Sequence, residues 1–188
     1  MELSKRLILA CLLLAFWAGT SPVRAQEPVP SAGIHDLKAS FKQDVLKVSY
    51  TVEGAFTPAV QERLVSASTI RFVHRIRVLH RRPLFFGGRV LAERNIETSV
   101  RYDNLTRQYA LTKIVDGAPV ESTTTESEQE MRRFMTEIED FDVAGAAQLA
   151  GEERVTLQVR AEYEETWLLF LFPYTYKAQR EKDVSLVR

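Results

Sequence analysis

Thr69-Ile70-Arg71-Phe72-Val73-His74-Arg75-Ile76-Arg77-Val78-Leu79-His80 is the stretch that decides the fold. Ile70, Phe72, Ile76 and Val78 share one parity, and Arg71, Arg75 and Arg77 share the other. Side chains of an extended chain point to alternate faces, so this pattern reads as a long strand with one buried and one wet face. Residues 89–102 alternate again through Val90, Ala92, Ile96, Val100 and Tyr102, with residues 84–88 as the turn between. The same signature recurs outward in both directions. Residues 34–53 read as two strands around Lys42-Gln43-Asp44, with Leu37, Ala39 and Phe41 before the turn and Leu46, Val48, Tyr50 and Val52 after it. Residues 107–115 and 118–124 flank Asp116-Gly117, a hairpin dipeptide because a tight primed turn needs two positive φ angles. Residues 155–163 form a closing strand.

Two helices interrupt the strands. Thr57 caps a helix that opens at Pro58 and runs to about Ala67, with Val60, Leu64 and Ala67 inward. Thr125-Glu126-Ser127-Glu128 reads as a capping box. The helix behind it sets Met131, Phe134, Met135 and Ile138 at helical spacing, a stripe expected to lie on the sheet. Residues 145–153 are small and polar, hence loop. About seven strands in adjacent antiparallel pairs, two short helices and no βαβ rhythm predict a mainly β (α+β) fold. The two architectures that satisfy this are an antiparallel β-sandwich and a strongly curved sheet.

The N-terminus sets an address. Lys5 and Arg6 precede an apolar run over residues 7–18, and Val23-Arg24-Ala25 offers small residues before Gln26. That is a cleaved secretory signal, and the run is shorter than the roughly 20 residues of a membrane span. The expected organisation is a signal peptide at 1–25, a flexible leader with Pro28, Pro30 and Gly33 at 26–33, and a single antiparallel β-rich domain at 34–188. Processing near Ala25 makes the product periplasmic or secreted. Cys11 sits in Leu9-Ala10-Cys11, which resembles a lipoprotein box, but cleavage there leaves too short an apolar run.

Composition then removes chemistries. Cys11 is the chain's single cysteine, so the mature protein has no thiolate, disulfide or cysteine metal site. Formal charge is zero for the whole chain and about −2 once the signal is removed, so no nucleic-acid partner is expected. His35, His74 and His80 are the whole histidine supply. They form no metal-ligand spacing, and His74 on the apolar parity reads as a hydrogen-bonded core or edge residue. No Gly-x-Ser-x-Gly elbow occurs, and the carboxylates of residues 126–142 follow a solvated helix face. No catalytic residue, metal or cofactor is assigned.

Val100-Arg101-Tyr102-Asp103-Asn104-Leu105-Thr106-Arg107-Gln108-Tyr109 resembles a bacterial exported family, domain of unknown function 4390. The shared pattern is a strand ending in Tyr-Asp, a short turn with Leu-Thr, and a Tyr opening the next strand. Tyr102, Asp103, Leu105, Thr106 and Tyr109 carry it, with Asp103 read as an Asx-turn. The chain departs from the family at Phe85-Phe86-Gly87-Gly88, where a tryptophan-centred turn is usual, and at residues 167–188, which are more apolar. The resemblance implies a Gram-negative envelope location and no activity.

Two surface features remain. Arg71, Arg75, Arg77, Arg81, Arg82, Arg89 and Arg94 outnumber the cross-strand acids Glu93 and Glu97, which predicts an unpaired basic face. Trp167-Leu168-Leu169-Phe170-Leu171-Phe172 precedes Pro173 without a polar parity, and reads first as one buried strand. The functional expectation is a non-enzymatic envelope domain docking on a partner protein or an anionic membrane surface. Arg75, Arg77, Arg81 and Arg82 would meet anions, and Phe85, Phe86, Trp167 and Phe172 would give apolar contact. The alternative is a carrier of a lipid or other hydrophobic ligand, held between a curved sheet and the second helix.

Overall fold

The structure, a computed structural model, describes residues 32–81, 88–168 and 172–186. Nine strands and two helices follow one another among them: β1 (Gly33–Lys42), β2 (Val45–Glu53), α1 (Pro58–Val65), β3 (Ile70–Arg81), β4 (Gly88–Asp103), β5 (Gln108–Val115), β6 (Ala118–Thr125), α2 (Glu128–Thr136), β7 (Glu137–Gly145), β8 (Arg154–Leu168) and β9 (Phe172–Ser185). They build a three-stranded sheet, β1-β2-β7, and a six-stranded sheet, β6-β5-β4-β3-β8-β9, antiparallel throughout.

Local chemistry fixes the hairpins. Asp116 and Gly117 take φ of 49° and 84°, the paired positive angles of the expected tight turn. Gln43 and Asp44 do the same at 51° and 63° between β1 and β2. The two sheets then share one core. Leu46, Val48 and Tyr50 of β2 are buried in one cluster with Phe72, Ile76 and Val78 of β3 and with Ile96, Leu157 and Val159. Met131 and Met135 of α2 are both 0% exposed, so the helical stripe does lie on the sheet. At the open edges, Arg180 Nη1 donates to Ile34 O at 2.8 Å and Lys182 Nζ donates to Leu37 O at 2.9 Å, tying β9 to β1. The pairing of Ile34 with Arg180 and Leu37 with Lys182 makes β1 run in the same direction as β9.

Several expectations change. Nine strands replace seven because β7 and β9 were hidden. α2 stops at Thr136, and Ile138 belongs to β7, opposite Tyr50. Ile138 satisfies a helical and an extended period alike, and a bulge with Asp140 at φ 43° breaks the alternation behind it. The α2 cap is Ser127, whose Oγ accepts from Glu130 N at 3.3 Å, while Thr125 Oγ1 accepts from Ser127 N. α1 ends at Val65, and Ala67 is exposed at φ 56°, off the inner face. Val90 is 48% exposed because the β3–β4 register slips between Val78 and Leu79. Residues 167–176 are not one strand ending at Pro173. β8 closes at Leu168, β9 opens at Phe172, and Pro173 pairs with Trp167 inside a hairpin.

Candidate docking surface

The arginine ladder was the first candidate, and its chemistry differs from the expectation. Arg71 Nε lies 2.9 Å from Glu97, Arg77 Nε 3.0 Å from Glu93, and Arg75 Nε 3.5 Å from the same Glu93. The remaining partners come from far in sequence. Arg89 pairs with Glu152 at 3.2 Å, and Arg94 pairs with Asp116 at 2.6 Å while its guanidinium stands 5.2 Å over the Phe141 ring. Arg94 also shares the inner parity with Ala92 and Ile96. Each arginine of this set with a described side chain therefore has a carboxylate, and the inference of an unpaired basic face is corrected. Counting only neighbouring-strand acids missed Asp116 and Glu152. The Arg81 side chain and Arg82 lie outside the described residues.

The histidines are committed elsewhere. His74 is 0% exposed and bridges the sheets. Its Nδ1 accepts from Tyr50 OH at 3.1 Å and its Nε2 donates to Met135 O at 3.3 Å, an assignment that fits the neutral Nε2–H tautomer. Thr98 Oγ1 donates to the same carbonyl at 3.2 Å. Burial pushes the His74 pKa down to about 4, against the pull of the Met135 carbonyl, and pushes the Tyr50 hydroxyl up. His80 Nδ1 meets Glu152 Oε2 at 2.5 Å, and His35 lies 3.8 Å from Glu53. An open cleft of about 590 Å³ beside His80 is lined by Glu152, Arg154, Thr156 and Asp183. Among the described residues no group of three or more His, Cys, Asp or Glu side chains is placed to hold a metal ion.

The end of the six-stranded sheet that carries Asp103 has a different character. Asp103 Oδ1 accepts from Leu105 N at 2.8 Å and Thr106 N at 3.2 Å, the expected Asx-turn, and these two bonds hold its carboxyl below the usual range. Arg107 N donates to Asp103 O at 2.8 Å and closes the turn. Below it Tyr102 and Tyr109 pair across the strands with ring centroids 4.8 Å apart, and partial burial raises the Tyr109 pKa, with Glu128 adding to the effect. The turn holds Leu105 out into solvent, 95% exposed. Arg101 and Arg107 flank it, both exposed, and the charge of Arg101 helps to hold the Asp103 carboxyl down.

The β8–β9 hairpin reaches the same end. β3 pairs with β8 from Leu79–Thr156 up to Phe72–Tyr163, whereas β8 pairs with β9 as far as Leu168–Phe172. A two-stranded ribbon thus continues five residues beyond the last β3 pair. On the other hairpin Asp103 stands three residues beyond Val100, the partner of Ile70, so Asp103 and the Leu168–Phe172 pair stand at about the same level. The register brings the turn residues Tyr102, Asp103, Leu105, Thr106 and Tyr109 to the same end as Trp167 and Phe172. Phe85 and Phe86 are not among the residues that this register places. Those residues lie outside the described ones, but their flanks Arg81 and Gly88 pair at the opposite end of β3. Arg101 and Arg107 were passed over, although Arg-x-x-x-Leu-x-Arg around an exposed turn was visible in the chain.

A family model described as Domain of unknown function (DUF4390) matches residues 30–184. None of the curated proteins and none of the solved structures matches the chain.

Proposed function

The chain belongs to the DUF4390 family, and from that premise we propose that it is a non-enzymatic docking domain of the bacterial envelope, making contact through the Asp103 end of its larger sheet. A signal at residues 1–25 exports it. The observation that carries the reading is Leu105, held 95% exposed on the Asx-turn of the β4–β5 hairpin, at about the level reached by the Leu168–Phe172 pair of β8 and β9. An exposed leucine on a turn rigidified by a carboxylate is presented without an ordering cost at binding. Arg101 and Arg107 beside it supply the basic component that the β3 arginines, already paired, do not.

The positions of the histidines support a binding role. His74 is sealed in the core, and His80 and Glu152 are committed to each other. The carrier alternative needs α2 and residues 167–172 around one cavity. α2 instead places Met131 and Met135 in the core, and Trp167 sits beyond the run of β3.

Cell fractionation tests the reading. Leu105→Asp, which cannot disturb packing at a site this exposed, should move the protein from the envelope pellet to the soluble periplasmic extract. Unchanged partition for this variant, with or without Leu168→Asp, would refute docking through this end.

A further inference from the structure

We propose that β6 pairs with the β6 of a second copy of this chain, joining two six-stranded sheets edge to edge. Among the described residues the two sheets end in four edges, β1, β7, β6 and β9. An edge strand presents an unpaired row of N–H and C=O groups, which proteins cover or guard. β1 and β9 lie against each other through Arg180 and Lys182, whose side chains donate to Ile34 O and Leu37 O. β7 is guarded by its own sequence. Two register shifts bend it, Asp140 stands at φ 43°, and Glu137, Glu139, Asp140 and Asp142 charge it.

β6 is only half guarded. Residues 118–124 are all exposed, and Thr125 is half-buried. Near the turn Pro119 has no N–H, and Val120 is an extra residue where the ladder slips between Lys113 and Ile114. From Glu121 opposite Lys113 to Thr125 opposite Tyr109 the ladder then runs without a shift. Residues of an antiparallel ladder alternate between bonding inward and facing away, so every second residue of this run offers its N–H and C=O outward. The run is held in place before any partner arrives. Thr125 Oγ1 accepts from Ser127 N at 3.1 Å and donates to Glu130, and Lys113 Nζ stands 3.4 Å from Glu121. Such an edge pays little ordering cost on pairing.

The residues themselves point to a second copy. Ser122-Thr123-Thr124-Thr125 carries no charge and three β-branched side chains, which suit a strand. Laid antiparallel on itself about Thr123, the run sets Thr123 against Thr123, Ser122 against Thr124 and Glu121 against Thr125. Hydroxyl pairs directly opposite are favourable, and no two like charges meet. The ends match as well. Pro119 of one copy falls opposite Ser127, the α2 cap, of the other, so both runs stop at the same two points. A two-fold axis perpendicular to the sheet generates this pairing and closes the assembly at two copies. It sends the two Leu105 turns to opposite ends of the shared sheet, so the seam covers neither. A five-residue seam spans only about 17 Å and buries less than the roughly 1,600 Å² of a standard interface, so the dimer is a weak one.

Residues 32–186 contain both sheets, both helices and the described core, so a protein starting at Gln26 carries the fold and serves for the test. Sedimentation equilibrium from about 10 μM to about 1 mM should show monomer passing into dimer, and amide exchange within residues 121–125 should slow as concentration rises. Thr123 is exposed, so a charge there leaves the monomer intact. Thr123→Lys alone and Thr123→Glu alone each set like charges directly opposite and should weaken association roughly fivefold. Mixed in equal amounts, the two variants should associate again, because opposite charges then meet. A protein that stays monomeric to about 1 mM, or a Thr123→Lys variant that dimerises as the parent does, would overturn the β6 seam. Single variants that lose association without recovering it in the mixture would overturn the pairing about Thr123.

Discussion

Acidification should unlock the two sheets through one side chain. His74 is neutral in the folded protein, with Tyr50 OH donating to Nδ1 and Nε2–H donating to Met135 O, and it is 0% exposed. Its pKa is pushed down to about 4 from the 6.5 of a free imidazole. The unfolded chain therefore takes up the proton first as pH falls. Stability from this group is complete above the unfolded value, declines as pH drops through 6.5, and stops declining below the folded value, where both states carry the proton. One pKa unit corresponds to about 1.4 kcal/mol, so the loss between pH 7 and pH 5 comes to about 2 kcal/mol. Urea unfolding at half-unit intervals over that window measures it, and the interval lies above most carboxylate titration. His74→Gln is the control, because an amide can donate to Met135 O and accept from Tyr50 without titrating. The native protein should lose about 2 kcal/mol more than His74→Gln between pH 7 and pH 5. Parallel curves for the two proteins would refute a neutral, desolvated His74 as the bridge between the sheets.

Three further outcomes follow from particular contacts. Arg75→Gln with Arg77→Gln should leave envelope association unchanged within about twofold, because half-exposed pairs of this kind contribute only ~0–1 kcal/mol and Glu93 already occupies both side chains; a loss beyond tenfold would restore the basic face of β3 as the contact. Met135→Ala should lower unfolding free energy by about 3 kcal/mol, since the side chain is 0% exposed in a packed core, and a loss under 1 kcal/mol in urea denaturation would mean that α2 does not seal it. Gly117→Ala should cost about 1 kcal/mol through its φ of +84° alone, because nothing lies within 4 Å of an added Cβ; thermal melts that stay within a degree would contradict the turn.

The strands with one wet face were legible from sequence, because β2 and β3 alternate cleanly, β4 alternates from Ala92 onward, and Asp116-Gly117 announces its turn. β7 was not. Ile138 fits two periods at once, and the bulge at Asp140 disrupts the alternation that would have decided between them. β9 was hidden for a different reason: residues 167–176 are apolar on both parities, so no periodicity marks where one strand stops and the next begins. The candidate site was half legible. The Asx-turn at Asp103 and the core role of His74 follow from residue type and parity. The pairing of Arg89 with Glu152 and Arg94 with Asp116 does not, because it depends on how distant segments are brought together.

Orientation on the envelope is the most direct test of the central claim. A chain starting at Gln26 contains no cysteine, so single spin labels can be placed at Leu105→Cys and at Val90→Cys, two exposed sites toward opposite ends of the β3–β4 pair. Accessibility to a water-soluble nickel chelate then reports how far each label is covered when the protein is bound to isolated envelope. The account predicts that the label at position 105 is shielded from nickel, while the label at position 90 remains fully aqueous. Equal aqueous exposure at both positions with the protein bound, or burial at position 90, would contradict an end-on approach through the Asp103 end.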